Sequence, residues 1–222
     1  MQLDQGSKDR ISGYNKWIVL ITLLLLFPAV YGQFRVGIKG GLLFSNIQHS
    51  NDIGIKVKNG YRQGFFAGPE LQIPVSNRLY LLTGLIYSIK GANDYNEIEG
   101  QKYSMSDIEL PVQLALKFYA GNARVFAGAG LFFSYALSGF VEFRGGREEL
   151  RFSNNLDEDD IFVRKRFNLG PEAIISYDFD FGIYIQLKAQ IELVNQMPFI
   201  KGKTNPVTEK NFAYGLGAGY RF

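Results

Sequence analysis

Cysteine is missing from all 222 residues. Its absence excludes disulfides, thiolate metal sites, a cysteine nucleophile and the lipidated cysteine of a bacterial lipoprotein. Histidine is nearly missing too, since His49 is the only one, so no histidine pair exists to hold a transition metal. Charge of one sign is in short supply: 24 basic residues face 21 acidic ones, a formal net charge of +3, which gives nucleic acid no basic surface to bind. Long hydrophobic runs are absent after residue 30. The glycine pairs sit within alternating segments with no helix behind them, which excludes a phosphate-cradling loop, and no cofactor is expected.

The single apolar run, Trp17 to Val30, is shorter than the ~20 residues of a spanning helix. A polar segment with a small positive excess precedes it, and Val30-Tyr31-Gly32 places small residues where a signal peptidase inspects them. Residues 1–32 therefore read as a cleavable signal peptide, with an uncleaved helical anchor as the alternative, and residues 33–222 as one domain starting at Gln33. Removing the leader takes away Lys8, Arg10, Lys16, Asp4 and Asp9 and leaves a net charge of +2.

What remains alternates with period two. The last stretch, Asn211 to Phe222, sets Phe212, Tyr214, Leu216, Ala218, Tyr220 and Phe222 on one face and Asn211, Ala213, Gly215, Gly217, Gly219 and Arg221 on the other. A water-soluble sheet with its bulky face inside would show solvent a row of glycines, which weakens a strand and gains nothing. Turned outward to lipid, the same strand puts aromatic residues at both membrane interfaces and small residues in a crowded lumen. Seven earlier segments behave alike: Phe34–Phe44, Tyr61–Ile73, Leu79–Ile89, Asp107–Phe118, Arg124–Leu137, Ile161–Ile175 and Gly182–Val194. Pro69, Pro111 and Pro171 lie inside these segments, so bulges or irregular register are expected there.

The connections alternate short and long, with short ones at 74–78, 119–123 and 176–181. Outer-membrane barrels have short periplasmic turns and long external loops. The expected fold is all-β: an eight-stranded antiparallel outer-membrane β-barrel in a Gram-negative cell, both termini periplasmic. Phe118, Tyr119, Tyr220 and Phe222 then fall at the inner interface, and Tyr87, Phe133, Tyr135, Phe212 and Tyr214 at the outer one.

Five stretches carry a family resemblance: Gly37 to Ile47 (GIKGGLLFSNI), Gly64 to Pro74 (GFFAGPELQIP), Leu85 to Gly91 (LIYSIKG), Ile108 to Tyr119 (IELPVQLALKFY) and the closing GAGYRF. In order and spacing the chain resembles the PorT-like outer-membrane β-barrel family of the Bacteroidetes. It departs from the family where a glutamate is expected near Gly84 and a glutamine near Ile89. The resemblance implies an outer-membrane barrel, and the family's namesake is associated with protein secretion and gliding machinery.

The candidate site is a lumen charge network. The register turns Arg35, Lys39, Lys117, Arg124, Lys188 and Arg221 inward together with Glu70, Asp107, Glu109, Glu172 and Glu192. Eight strands enclose a space just wide enough for side chains, and an unpaired charge there is costly. The charges therefore read as a paired plug, with a narrow path for ions or small solutes as the alternative. Glu109 and Lys117 share a face eight residues apart, so each must find its partner on another strand.

Catalysis has one sketch: His49 with Ser45, Ser50 and Asp52 supplies residue types for lipid modification, in a polar loop where serine and aspartate are expected anyway. The run Asp157-Glu158-Asp159-Asp160 offers oxygen ligands to a divalent cation or to cation-bridged lipopolysaccharide. It lacks the spacing and glycine of a calcium loop, and reads first as a solvated tip balanced by Arg147, Arg151, Arg164, Lys165 and Arg166. The expected function is non-enzymatic, structural or interactive. The expected partners are outer-membrane lipid and lipopolysaccharide, secretion-system proteins, and the barrel assembly machinery. The last of these reads the C-terminal strand through Tyr220 and Phe222.

Overall fold

The computed structural model describes residues 34–50, 56–57, 59–95, 98–156, 162–200 and 203–222, so the expected signal peptide lies outside them. Among the described residues eleven strands form the main antiparallel sheet, and nine of them make its closed wall: β1 (Arg35–Ser50), β2 (Gly60–Pro74), β3 (Leu79–Gly84), β4 (Ile86–Asn93), β5 (Lys102–Ala120), β6 (Ala123–Phe143), β7 (Phe167–Asp178), β8 (Ile183–Ile191) and β9 (Thr208–Arg221). Two short strands, Lys56–Val57 and Gly146–Glu149, add to β1 and β6. Each of the nine pairs with its sequence neighbours, β3 and β4 sharing one lane between β2 and β5. The lane passes on through β6, β7 and β8 to β9, and β9 pairs with β1, so the sheet closes on itself and these strands have no free edge.

Short turns join the strands at one end. Between Ala120 and Ala123, which pair across the β5–β6 hairpin, only two residues turn the chain, and Gly121 takes a φ of 63° that a side chain would resist. Each proline is paired on one side of its strand and meets a break on the other, as expected. Pro69 pairs with Ile38, Pro111 with Phe132 and Pro171 with Leu131 in unbroken ladders, because a proline forfeits one amide donor while its carbonyl still accepts. On their other sides pairing stops: Pro69 and Pro111 face the break between β3 and β4, and the β7–β8 ladder ends at Glu172, one residue short of Pro171. The amide of Leu85 still donates to the Pro69 carbonyl at 3.1 Å. Two register shifts lie elsewhere. One falls between Tyr61 and Phe66, and the other between Ser106 and Asp107, where Leu137 is an extra residue on β6. That bulge changes which parity faces inward, from even numbers up to Ala136 to odd numbers from Gly139.

The two faces invert the usual burial. Along β8, Leu187 is 56% exposed while its neighbour Lys188 is 6% exposed. Ile183, Ile185, Leu187 and Ile191 point out, and Gln186, Lys188 and Gln190 point in. Val112, Leu114, Leu116 and Phe118 do the same on β5. An apolar outer surface of this extent far exceeds the patches a water-soluble monomer shows. Aromatic contacts mark its two ends: Tyr214 packs on Phe44 and Tyr61 at one, and Tyr220 on Phe222 at the other. Among the described residues no helix is long and apolar enough to cross a membrane.

Inside, the glycine face of β9 is filled by rings from other strands. A Cβ on Gly217 would meet the Phe66 ring at 2.6 Å, and one on Gly219 would strike the Tyr184 ring. Toward the long-loop end, the β5–β6 pair outruns β7, which meets β6 only from Tyr135. There the interior becomes apolar, with Ile47, Tyr95, Tyr103, Met105, Val141 and Leu150 packed together.

The sixth expected segment starts late, at Phe167 and not Ile161. Val163 and Arg164 leave the main sheet to pair in parallel with Arg151 and Phe152, which frees Arg164 to turn inward.

Candidate functional site

Period-two geometry on a closed sheet aims every second side chain at one axis. The charged ones meet there in three tiers. Nearest the short turns, Arg221 of β9 donates Nε–H to Glu70 of β2 at 2.7 Å and its Nη1 pairs with Asp178 of β7. Its guanidinium lies 3.8 Å over the Tyr184 ring, and Lys39 reaches the other Glu70 oxygen at 3.6 Å. Two cations thus balance two carboxylates.

The middle tier is denser. Lys90 of β4 donates to Glu109 at 2.8 Å and Glu192 at 2.9 Å, with Asp107 at 3.3 Å. Lys188 of β8 sits 3.1 Å from Glu172 and 3.4 Å from Glu109. Neutral groups finish the coordination: Ser88 and Gln190 donate to Glu109 at 2.8 and 3.1 Å, Asn168 to Glu192 at 2.9 Å, and Gln113 to Glu172. Two lysines here meet four carboxylates, so this tier carries a formal acidic surplus.

The third tier lies in the part of the sheet that outruns the apolar band. Arg164 grips Glu209 with two hydrogen bonds, at 2.9 and 2.8 Å, and Tyr95 donates to Glu209 at 2.9 Å. Burial would raise the Glu209 carboxyl. The Arg164 charge and these hydrogen bonds outweigh it and hold the group down to about 2. Burial lifts the Tyr95 phenol above its ordinary range, so it stays a donor.

Of the residues singled out from sequence, Lys39, Glu70, Asp107, Glu109, Glu172, Lys188, Glu192 and Arg221 come together in the first two tiers. Arg35, Lys117 and Arg124 do not join them; they line the mouth at the short-turn end. Period-two reading missed Lys90, Asp178 and Glu209, although each keeps the inward parity within three residues of the expected bounds of its segment. Arg164, expected to balance the acidic loop tip, is buried against Glu209 instead, because its segment leaves the main sheet. The acidic run 157–160 itself lies outside the described residues, as does Asp52.

Two members of the catalytic sketch are engaged elsewhere. Ser45 is buried and its hydroxyl donates to the Gly91 carbonyl at 2.9 Å while accepting from the Gly91 amide at 2.8 Å. Its lone pairs and proton serve the backbone. His49 turns to Glu209 at 3.6 Å.

A family model described as outer membrane protein beta-barrel domain matches residues 15–193. Solved structures with a similar chain path include Neisserial surface protein A (12% identity, 86% of this chain and 100% of that chain covered, TM-score 0.48). Ail, the attachment invasion locus protein of Yersinia pestis, in complex with the heparin analogue sucrose octasulfate, is 13% identical over 86% of this chain and 100% of its own, with TM-score 0.46. The N-terminal β-barrel domain of Pseudomonas aeruginosa OprF is 13% identical over 86% and 100%, with TM-score 0.32. No curated protein matches the sequence.

Proposed function

The chain belongs to the outer membrane protein beta-barrel domain family, and from that premise we propose that it is a non-enzymatic structural or interaction component of the outer membrane, an eight-stranded transmembrane barrel whose lumen is a charge-paired plug. β3 and β4 count as one interrupted strand in that number, and the short turns face the periplasm together with both termini. The observation that carries the reading is the middle tier, where Lys90 and Lys188 are each held between buried carboxylates from different strands. Phe66, Phe126, Phe132 and Tyr184 are buried inside against the cations Lys188, Lys90 and Arg221. A lumen so occupied presents side chains where a channel presents water.

The test is conductance of the purified, folded protein in planar bilayers at neutral pH. Little or no current is expected. The acidic surplus of the middle tier favours a second reading, a narrow cation path. Stable conductance whose cation selectivity falls in Glu109→Gln would establish that reading and overturn the plug.

Partner choice rests on the PorT-like motifs, which support attachment to a protein secretion assembly. The expectation is that secretion components co-purify from detergent-solubilised outer membrane. Recovery of the barrel without any of them would remove that part of the proposal and leave the plug untouched.

A further inference from the structure

We propose that the short-turn mouth of the lumen binds a phosphate-class oxyanion. Four strands and one turn bring the site together. Arg35 of β1 and Gln72 of β2 are cross-strand partners, Lys117 ends the inward face of β5, Arg124 begins β6, and Asp180 comes from the turn between β7 and β8. With Tyr80 they line a cavity of about 240 Å³, many times the roughly 10–15 Å³ that one water needs.

Charge and hydrogen bonding both ask for an anion. Three cations face one carboxylate here, a formal surplus of +2, whereas the tier immediately above is balanced because Glu70 and Asp178 are committed to Arg221. Gln72 is 2% exposed, and among the described residues its Nε2 has no hydrogen-bond partner. The buried Nε of Arg124 has none either, although its Nη2 donates to the Phe179 carbonyl at 3.3 Å. Lys117 donates one N–H to the Tyr80 hydroxyl at 2.8 Å and keeps others to give. A ligand that only accepts and carries negative charge meets all of these demands. Tetrahedral oxygens suit donors that arrive from several strands better than the planar pair of a carboxylate does. Such a group comes either from free phosphate or from a phospholipid headgroup in the adjoining leaflet.

The inference stands apart from the plug and from the sidedness of the barrel. Two probes test it on folded protein verified by heat-modifiable gel migration. Inorganic phosphate is titrated in phosphate-free detergent, and phosphatidylglycerol is presented in phosphatidylcholine nanodiscs, both read by phosphorus NMR. Saturable binding is expected, weakened at least tenfold in Arg124→Gln and several-fold in Gln72→Leu, and unchanged in Lys210→Gln at the far end of β9. Saturation by inorganic phosphate assigns a free oxyanion, and saturation by phosphatidylglycerol alone assigns a headgroup. Should Arg124→Gln fail to fold, Lys117→Gln takes its place with the same tenfold expectation. Failure of both probes to saturate on the parent protein overturns the site, as does parental binding in the folded variants.

Discussion

Lys90 Nζ lies 2.9 Å from Glu192 Oε1, a hydrogen bond that spans 102 residues of chain and joins opposite walls of the closed sheet. Because the same ammonium also serves Glu109 and Asp107, three carboxylates depend on one lysine.

This sharing makes the middle tier asymmetric to substitution. Lys90→Met leaves Glu192 and Asp107 without a cation and Glu109 with Lys188 alone, and is expected to lower stability by roughly 3–5 kcal/mol, the cost of breaking a buried pair from one side. Glu109→Gln costs less, since Lys90 keeps Glu192 and Asp107 while Lys188 keeps Glu172. Urea unfolding in lipid vesicles measures both. An equal loss for the two variants would contradict the shared-lysine arrangement.

Acid should weaken the third tier. The Glu209 carboxyl is held down to about 2 in the folded chain against an ordinary value of 4.5. A depressed carboxylate stabilises fully above its unfolded pKa and loses that contribution as pH falls toward the folded one. The packing around Arg164 and Glu209, which caps this end of the lumen, is therefore expected to weaken between about pH 4.5 and 2. Pepsin cleavage of the connection 144–166, compared over that window with Glu209→Gln, reports it. The variant should be cleaved readily throughout. Protection that persists in the variant at pH 4.5 would show that the Arg164 pair does not hold the cap.

Assembly offers a test away from the lumen. Phe222 is 72% exposed, its amide donates to the Val36 carbonyl at 2.9 Å, and its ring packs against Tyr220. A charge placed at a membrane interface costs a folded barrel only about 0–1 kcal/mol. If Phe222→Asp nevertheless abolishes outer-membrane assembly while Phe199→Asp in a long connection does not, recognition of the last strand has failed, not stability. Equal tolerance at the two positions would argue that the terminal aromatic carries no signal.

Much of this architecture is legible in the sequence because a strand writes its two faces as odd and even numbers. Gln186, Lys188 and Gln190 could be assigned inward from Ile185, Leu187 and Ile191 alone. Legibility ends where the count changes. Leu137 adds one residue to β6, so the parity that predicts Ser134 inside predicts the wrong residues beyond Ala136, and the apolar cap around Tyr103 and Val141 stays hidden. Arg164 is beyond such reasoning altogether, since its approach to Glu209 depends on a two-residue pairing between connections. Partners within the lumen were equally unreadable: Lys90 could choose among several carboxylates, and only the stagger of the strands selects Glu109 and Glu192.

The close approach of β1 and β9 also limits how this chain can diverge. Gly41 and Gly217 are direct partners across that seam, and a side chain on Gly41 would strike the Leu216 backbone. A Cβ on Gly217 meets both the Phe66 ring and, at 2.8 Å, the Gly40 carbonyl. Shrinking Phe66 clears the first obstacle and leaves the second, so Gly217→Ala in a Phe66→Leu background should recover only part of the lost stability. A lineage that abandons glycine at 217 must therefore respace β1 and β9 together, which couples drift at position 217 to drift at positions 40 and 41, far away in the chain.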